Sequence, residues 1–330
     1  MRKKIVTILF LLAGICSAQN PNLGTSGAQF LNIPVSARYS ALGGAVVGMS
    51  DDAESVFWNP AGLAKVNKNS VEFSYMRWFD IFDFNSAVAA FYQDGIGTVA
   101  VSALIMSMDK EEITTESQPN GTGRFYDAKD IAIGITFARF LTDRFCVGIT
   151  GKYIQQRIWN ETANGFAFDV GSQYRLDFQN LTIAMKVSNF GSDMQFDGDD
   201  LNITYDKDAS IPLNRLTPAR LVTDTYPLPL SFQVGIAMDI YTSDFVKAKG
   251  EIDAVHPNDN NEHLLFGTEI TFFDRLFFRG GYKLHYDDES YTFGTGANIS
   301  LGDMKVKFDY SYSVFNILPS VNRITVGIEF

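Results

Sequence analysis

The chain has 330 residues and a formal net charge of −11, from 38 acidic and 27 basic side chains. This acidic balance argues against nucleic acid and against anionic membrane surfaces as partners. Aromatic residues make up 14% of the chain, yet its mean hydropathy is only −0.02. That combination is typical of a membrane β-barrel, because apolar and polar residues alternate along each strand and cancel in any averaged window.

The first residues have the pattern of a secretory signal peptide. Three basic residues, Arg2 to Lys4, precede an apolar run over 5–15, and small residues follow up to Ala18. An apolar run of about 11 residues is too short for a spanning helix, which needs about 20. We therefore predict that residues 1–18 are a signal peptide cleaved after Ala18. Its removal leaves Cys146 as the single cysteine, so no intrachain disulfide forms.

Residues 19–69 differ from the rest of the chain. The stretch 41–45 is small and turn-prone, and residues 50–57 favour a short helix that is capped by Ser50 or Asp51 and ended by Pro60. This segment has too little apolar surface to fold as its own domain. We predict that residues 19–69 form a plug, which packs inside a barrel built by residues 70–330.

From residue 70 onward the dominant sequence period is two. Apolar and polar residues alternate in segments that are each near the roughly 9–11 residues needed to cross a bilayer as a tilted strand. The segments are 70–79, 85–93, 97–106, 130–139, 145–156, 165–176, 181–187, 230–239, 245–253, 262–272, 276–283, 291–299, 304–312 and 323–330. The predicted fold is an all-β, antiparallel transmembrane β-barrel of about 14 strands, with a short N-terminal plug that contains a short helix.

Two of these strands carry charged side chains on one face only. The residues are Lys247, Lys249, Glu251 and Asp253 on one strand and Lys305, Lys307 and Asp309 on another. A basic residue that faces lipid near the bilayer midplane costs about 2–4 kcal/mol, so these side chains are predicted to face the lumen. The lumen is then either a water-filled conduit or a lattice of ion pairs that anchors the plug. Pairing is favoured because each run contains both signs of charge.

The connections between the predicted strands alternate between short turns and longer loops. The longer loops are 107–129, 157–164, 188–229, 254–261, 284–290 and 313–322. Outer-membrane barrels have short turns in the periplasm and long loops outside, so we predict that loops 107–129 and 188–229 are extracellular. The alternative is a soluble β-sandwich or propeller, which is disfavoured because no repeat of fixed period is visible.

Five short motifs follow one another in the N-terminal segment. They are Phe30-Leu31-Asn32-Ile33-Pro34, Ser36-Ala37-Arg38, Leu42-Gly43-Gly44-Ala45, Asp51-Asp52-Ala53 and Trp58-Asn59-Pro60-Ala61-Gly62-Leu63-Ala64. In this order they resemble the PorV/PorQ family, which is similar in turn to the FadL-type transporters with their Asn-Pro-Ala near the N-terminus. The resemblance implies a fourteen-strand outer-membrane barrel with an N-terminal plug. It gives a structural or gating role in the plug to Arg38, Gly43, Gly44, Asp51, Asp52, Asn59, Pro60 and Ala61. Phe330, which follows the alternating Ile324, Val326 and Ile328, resembles the signal read by the outer-membrane insertion machinery.

The sequence contains little that is typical of an enzyme. Its three histidines, His256, His263 and His285, form no His-Glu-x-x-His pair. A hydrolase built from His285, Asp287 and Asp288 is the alternative, but such a sequence at the end of a strand is more often a solvated rim. We therefore predict a non-enzymatic protein without a cofactor.

An acidic run over 193–208 raises the question of a metal site. It contains Asp197, Asp199, Asp200, Asp206 and Asp208, which offer enough oxygen ligands for a weak calcium site. Their spacing does not match an EF-hand loop, so a flexible charged loop is favoured and no metal is predicted.

Two functions remain after these exclusions. The family resemblance implies an accessory of protein export or surface display, in the manner of type IX secretion, with partners bound through the long loops. Its expected partners are outer-membrane lipid, the barrel-insertion machinery, and secretion-system proteins or exported cargo, in the outer membrane of a Gram-negative bacterium. The alternative is a FadL-like channel for the uptake of small hydrophobic molecules, which predicts an apolar pocket below the loops.

Overall fold

The computed structural model describes residues 22–205 and 217–330. The predicted signal peptide, 1–18, lies outside the described residues. The same holds for Asp206 and Asp208 of the acidic run.

Fourteen antiparallel strands form one closed barrel. They are β1 (Ser70–Trp78), β2 (Phe82–Gln93), β3 (Gly97–Met108), β4 (Ala128–Thr142), β5 (Phe145–Ile158), β6 (Glu161–Arg175), β7 (Thr182–Gly191), β8 (Ser231–Thr242), β9 (Val246–Pro257), β10 (His263–Phe272), β11 (Leu276–Leu284), β12 (Glu289–Leu301), β13 (Met304–Phe315) and β14 (Val321–Glu329). Each strand pairs with its neighbours in the chain, and β1 pairs with β14 from Ser70 opposite Glu329 to Met76 opposite Arg323. The predicted fourteen-strand barrel is confirmed, with one observed strand for each predicted segment.

The two faces of the wall differ as the period of two predicts. On β1, Val71, Phe73 and Tyr75 point outward and are exposed, whereas Glu72 and Ser74 point inward and are buried. Successive side chains of a strand point to opposite faces, so the outer surface is an apolar band and the lumen is polar. None of the helices in the described residues has the length and apolar composition needed to cross a membrane.

The two rims have different heights. On the rim that holds both chain ends of the barrel, the connections are 94–96, 143–144, 176–181, 243–245, 273–275 and 302–303. On the opposite rim stand the long loops 109–127 and 192–230. These loops contain short paired strands, Glu111–Glu112 with Phe125–Tyr126 and Asn202–Tyr205 with Thr217–Arg220.

The predicted loop over 157–164 is wrong. Strands β5 and β6 stay paired up to Ile158 opposite Glu161, which leaves only Trp159 and Asn160 as the turn, with Trp159 at φ 54°. The polar residues that suggested a loop instead form hydrogen bonds along a tall hairpin, as between Tyr153 and Asn164 at 2.7 Å. Polar residues therefore do not by themselves mark the end of a strand.

Inside the barrel, the N-terminal segment forms four short helical pieces. These are a 3-10 turn at Gln29–Asn32, the helix α1 at Ala37–Ala41, and 3-10 helices at Ala53–Phe57 and Pro60–Lys65. The predicted cap at Ser50 or Asp51 is wrong, because the helix begins only after Asp52. Ser50 and Asp51 are instead engaged with Gln173 of the wall and with Arg38. Pro60 does follow the helix, but it also begins the next one.

Candidate functional site

The segment inside the barrel has two parts that differ in what they contact. The outer plug, residues 22–35, lies at the loop end, where the N–H of Gly24 donates to the Asp259 carbonyl and that of Gly27 to the Pro227 carbonyl, both at 3.0 Å. The inner plug, residues 36–66, lies nearer the turn end, against the strands themselves. Its hydrogen bonds reach β1, β3, β6, β8, β9, β12 and β14.

Two of the predicted lumen charges bind the backbone of the inner plug. Four consecutive N–H groups, from residues 46–49, point at β9. Asp253 accepts the first two at 2.9 and 3.2 Å, and Glu251 accepts the other two, of which the bond from Met49 is 2.8 Å long. Both carboxylates are almost completely buried. Two side chains of one strand therefore satisfy four consecutive backbone N–H groups, which attaches this turn to the wall at four points.

Arg38 connects helix α1 to the following part of the plug and to the wall. Its guanidinium lies 2.6 Å from Asp51, 2.7 Å from Asp52 and 3.5 Å from Glu269 of β10. Burial by itself raises the pKa of Asp51, but Arg38 beside it lowers that pKa well below its usual value, so Asp51 is ionised. Tyr39 donates its hydroxyl proton to Asp52 at 2.6 Å. Three of the predicted plug residues are therefore one ion-paired unit.

Ion pairs continue around the lumen beyond Arg38. Arg279 of β11 lies 2.7 Å from Glu269 and also pairs with Asp309 of β13. Lys307, on the same strand as Asp309, lies 3.0 Å from Glu72 of β1. These pairs cross between neighbouring and next-neighbouring strands, and they leave no continuous row of one charge in this part of the lumen.

The remaining predicted lumen charges lie towards the turn rim. Lys247 pairs with Asp274 of the turn after β10 at 2.7 Å, and its side chain is 41% exposed. Lys305 is the second residue of β13, next to the turn that precedes this strand. Lys249 stands opposite Glu269 in the pairing of β9 with β10. Lys247 and Lys305 are thus rim residues on the inward face, further from the plug than Glu251 and Asp253.

The Asn-Pro-Ala motif starts the last helix of the plug. The side-chain oxygen of Asn59 accepts the N–H of Ala61 at 3.1 Å, and Pro60 occupies the first helical position, where no N–H is needed. The Asn59 amide also donates to the Val47 carbonyl at 2.7 Å. The motif therefore joins the helix start to the turn that Glu251 and Asp253 hold. On the wall, Gly148 leaves no room for a Cβ beside Pro60.

The Gly43-Gly44 pair follows helix α1. Both residues have positive φ, +67° and +78°, which only glycine adopts without strain. Gly43 packs against the backbone of Gly281, so a Cβ added to Gly281 would overlap Gly43. A Cβ added to Gly294 would come within 2.5 Å of the Ala41 Cβ. Small residues on both sides let the plug backbone touch the sheet.

Glu54 is a buried carboxyl that is bonded by hydroxyl groups. It accepts hydrogen bonds from Ser36 of the plug and from Ser74 of β1. Burial, together with the carboxylates of Glu72 and Asp52, raises the pKa of Glu54 well above its usual value, although the two serines oppose this. Glu54 therefore holds a proton at pH values where an exposed glutamate is charged.

A cavity of about 720 Å³ lies in the lumen between the inner plug and the loops. One side is apolar, with Phe57, Trp78, Leu104, Ala132 and Phe315. The other side is polar and contains Lys152, Asp169, Lys186, Gln233 and Lys283. A smaller cavity of about 260 Å³ opens at the turn end beside Lys65, Arg144 and Lys249.

Asp288, one of the residues of the hydrolase alternative, is engaged by backbone groups of a neighbouring loop. Asp288 accepts the N–H groups of Asn316 and Ile317 at 2.9 and 2.8 Å, so it holds the loop after β13. His263 bonds through Nδ1 to the carbonyl of His285 at 2.9 Å rather than to an acid. Within residues 22–205 and 217–330, no group of three or more His, Cys, Asp or Glu is arranged to hold a metal ion.

Several wall residues that hold the plug were not identified from the sequence. Gln173 donates to the Val47 carbonyl at 2.8 Å, Gln233 donates to the Gly44 carbonyl at 3.2 Å, and Arg323 donates to the Pro34 carbonyl at 2.7 Å. Each stands on the inward-facing positions of its strand. A long polar side chain at such a position is a usable signal, because a residue that faces a packed lumen needs a partner.

A protein-family model and several solved structures are similar to this chain. The family model described as "Type IX secretion system protein PorV" matches residues 16–199, which is more than half of the chain. The chain belongs to the PorV family. The match contains all eight predicted plug residues and the strands β1 to β7. No curated protein sequence matches the chain.

Solved structures similar to this PorV-family barrel are FadL-type outer-membrane transporters. The toluene transporter TbuX of Ralstonia pickettii is 11% identical with a TM-score of 0.53, covering 89% of this chain and 96% of TbuX. A FadL homologue of Pseudomonas aeruginosa is 10% identical with a TM-score of 0.55, covering 90% and 98%. The toluene transporter TodX of Pseudomonas putida is 10% identical with a TM-score of 0.52, covering 88% and 96%. At these identities the likeness shows the fold, and with the family it locates the chain in the outer membrane.

Proposed function

We propose that this PorV-family barrel is a non-enzymatic accessory of protein export or surface display, and that it binds secretion-system proteins or exported cargo through its extracellular loops. The proposal draws its process from the family, whose name is that of a type IX secretion protein. The inner plug supports it, because hydrogen bonds to seven strands fix the plug across the lumen and leave the loops as the free surface.

The observation that carries the docking role is apolar exposure on the tall loops. Val222 is 86% exposed, Leu221 53%, Tyr205 54% and Phe125 52%. These residues belong to the long-loop rim, beyond the strands whose outward apolar residues face lipid. The adjacent residues Leu221 and Val222 offer an apolar contact surface to a partner.

The test replaces Leu221 and Val222 together with asparagine. Apolar anchors at the centre of an interface contribute about 2 kcal/mol or more, so we expect recovery of the partner to fall by about tenfold or more. The measurement is affinity co-purification from detergent-solubilised outer membranes, followed by mass spectrometry. The control is Phe178→Asn in a turn of the opposite rim, where Phe178 is 69% exposed. Unchanged recovery with the loop variant contradicts the docking role.

A second candidate function is the uptake of small hydrophobic molecules. The specific observation in its favour is the cavity of about 720 Å³ with an apolar side below the loops. Structurally similar barrels are described as toluene transporters. Accumulation of radiolabelled toluene by cells that contain only this barrel would favour uptake, whereas accumulation equal to that of cells without the barrel would exclude it.

A further inference from the structure

We propose that the smaller cavity, at the turn end of the barrel, binds a carboxylate-bearing ligand, with the carboxylate held between Lys65 of the inner plug and Lys249 of β9. This cavity has a volume of about 260 Å³, and residues of the short turns line its opening. It lies on the opposite side of the inner plug from the loops, so the site is independent of the docking proposed for the loops.

Lys65 brings a positive charge from the plug to this cavity. It is the last residue of the 3-10 helix Pro60–Lys65, and its ammonium donates to the backbone carbonyls of Gly48 and Ser50 at 3.4 and 3.3 Å. Among the residues that the structure describes, no carboxylate lies within ion-pair distance of this ammonium. Long hydrogen bonds to neutral oxygens compensate a charge less than a carboxylate does.

Lys249 brings a second positive charge, from the inward face of β9. Its neighbours across the sheet are Asp239 of β8 and Glu269 of β10. Asp239 accepts a hydrogen bond from Asn180 at 2.7 Å, and Glu269 pairs with Arg279 at 2.7 Å. Both neighbouring acids are engaged by other donors, and in the described part of the chain Lys249 has no carboxylate at ion-pair distance.

The two ammonium groups act on each other. Burial lowers the pKa of Lys65, and the charge of Lys249 lowers it further, although Asp51 raises it. Asp51 is itself 2.6 Å from Arg38, so it already has a cation of its own. Two like charges that face one cavity repel each other, and an anion bound between them offsets that repulsion.

Arginines extend the basic lining to the mouth of the cavity. Arg144 and Arg175 line it on the exposed side, and Arg144 also pairs with Asp177 at 2.7 Å. One acid stands beside them, Asp143 in the turn between β4 and β5, where it is exposed. Exposed guanidinium groups attract anions from solution and match the two oxygens of a carboxylate.

The cavity limits the size of the group that reaches the lysines. Its volume of about 260 Å³ is just below the range of about 300–1,000 Å³ that is usual for drug-sized ligands. Met49, Phe140 and Met238 add apolar lining beside the basic residues. A carboxylate on a short methylene chain fits this combination. Two sources share that chemistry, a free dicarboxylic acid and a glutamate side chain of a polypeptide at the turn rim.

The test measures the binding of two acids and of their neutral counterparts to the purified full-length barrel in a neutral detergent, by isothermal titration calorimetry. The free acid is glutarate, compared with glutaramide. The peptide is acetyl-tetraglutamate amide, compared with acetyl-tetraglutamine amide. We expect the tighter of the two acids to bind about tenfold more strongly than its neutral counterpart. Tighter binding of glutarate assigns the site to a free acid, and tighter binding of the peptide assigns it to a polypeptide.

Lysine variants locate the bound carboxylate. Lys249→Met and Lys65→Met should each weaken binding of the acid by about tenfold, whereas Lys249→Arg should keep most of the affinity. The matched controls are Lys247→Met on the same face of β9 and Lys68→Met just after the plug helix, which should bind as the native barrel does. Unchanged amide hydrogen exchange over residues 46–49 establishes that the plug of each variant is in place.

Two outcomes would overturn the site. The first is equal affinity of the native barrel for each acid and its neutral counterpart. The second is an equal loss of affinity with Lys247→Met and Lys249→Met, which would assign the binding to the general charge of the turn rim. Heat-modifiable migration of each variant establishes that its barrel is folded.

Discussion

The inner and outer plug belong to one continuous segment, but different kinds of contact hold them in the barrel. The inner plug is bound by acidic side chains of the strands, through Glu251, Asp253 and Glu269. The outer plug is bound to loops, through backbone hydrogen bonds at Pro227 and Asp259 and through the side chain of Gln29, and its last part accepts one bond from the wall, from Arg323 to the Pro34 carbonyl. Loops are more mobile than the strands they connect. The inner plug is thus a fixed floor, and the outer plug is the part that a ligand or partner can displace at lower cost.

The two cavities lie at opposite ends of the inner plug. The cavity of about 720 Å³ lies on the outer-plug side, next to the loops. Exchange between this cavity and the loop end therefore needs no movement of the inner plug. We expect amide hydrogen exchange to be slower over residues 36–66 than over 22–33.

The largest effect is expected when the inner plug is detached from β9. Replacing Glu251 and Asp253 together with alanine leaves four backbone N–H groups of residues 46–49 without acceptors, at about 1–3 kcal/mol each. We expect exchange over 46–49 to rise to the level of the outer plug, and single-channel conductance in planar bilayers to increase. Lys247→Met on the same strand is the control and should change neither. Slow exchange and a closed barrel in the double variant would show that these carboxylates do not hold the floor.

A smaller effect is expected at Arg38. Arg38→Met leaves Asp51, Asp52 and Glu269 without their shared cation, and breaking a buried ion pair in this way costs about 3–5 kcal/mol. Hydrogen exchange over residues 37–52 should accelerate, with less change over 60–66. Arg77→Met is the control, because Arg77 pairs with Asp83 at the solvated rim with a side chain that is 42% exposed. Equal protection in the Arg38 variant and the native barrel would reject a bridging role.

The smallest expected effect is a pH dependence of the stability of the inner plug. Because the pKa of Glu54 is raised in the folded plug, the unfolded segment releases its proton first as the pH rises. The stability of the inner plug should therefore fall from the unfolded pKa of about 4.3 up to the folded pKa, by at most about 1.4 kcal/mol per pH unit. Glu54→Gln cannot titrate, so protection over residues 53–57 should lose this pH dependence.

The control for the pH experiment is Glu116→Gln in the loop 109–127. Glu116 is exposed, so its replacement should leave the pH profile of the native plug in place. A Glu54→Gln barrel that keeps the native profile would assign the titration to another group.

The sequence determined the architecture because a barrel wall imposes a local pattern. Val71, Phe73 and Tyr75 alternate with Glu72 and Ser74, and repetition of such segments predicted fourteen strands and their inward faces. The N-terminal motifs were only partly readable. The turn-prone stretch 41–45 contains Gly43 and Gly44 at positive φ, whereas Pro60, predicted to end one helix, also begins the next. Alternation, turn chemistry and helix capping all act between residues that are close in the chain.

The tertiary structure alone decided which partners those inward residues find. Asp253 meets residues 46–47, about two hundred positions away, and Lys186 faces a cavity while Lys152 has Asp169. The tall hairpin at 157–164 also escaped prediction, because its polar residues look like a loop until their cross-strand bonds are known. The alternation of residues along a strand shows only that a side chain points into the lumen. Its neighbour there depends on how the sheet closes and how the plug folds back, which are long-range packing outcomes that no local pattern encodes.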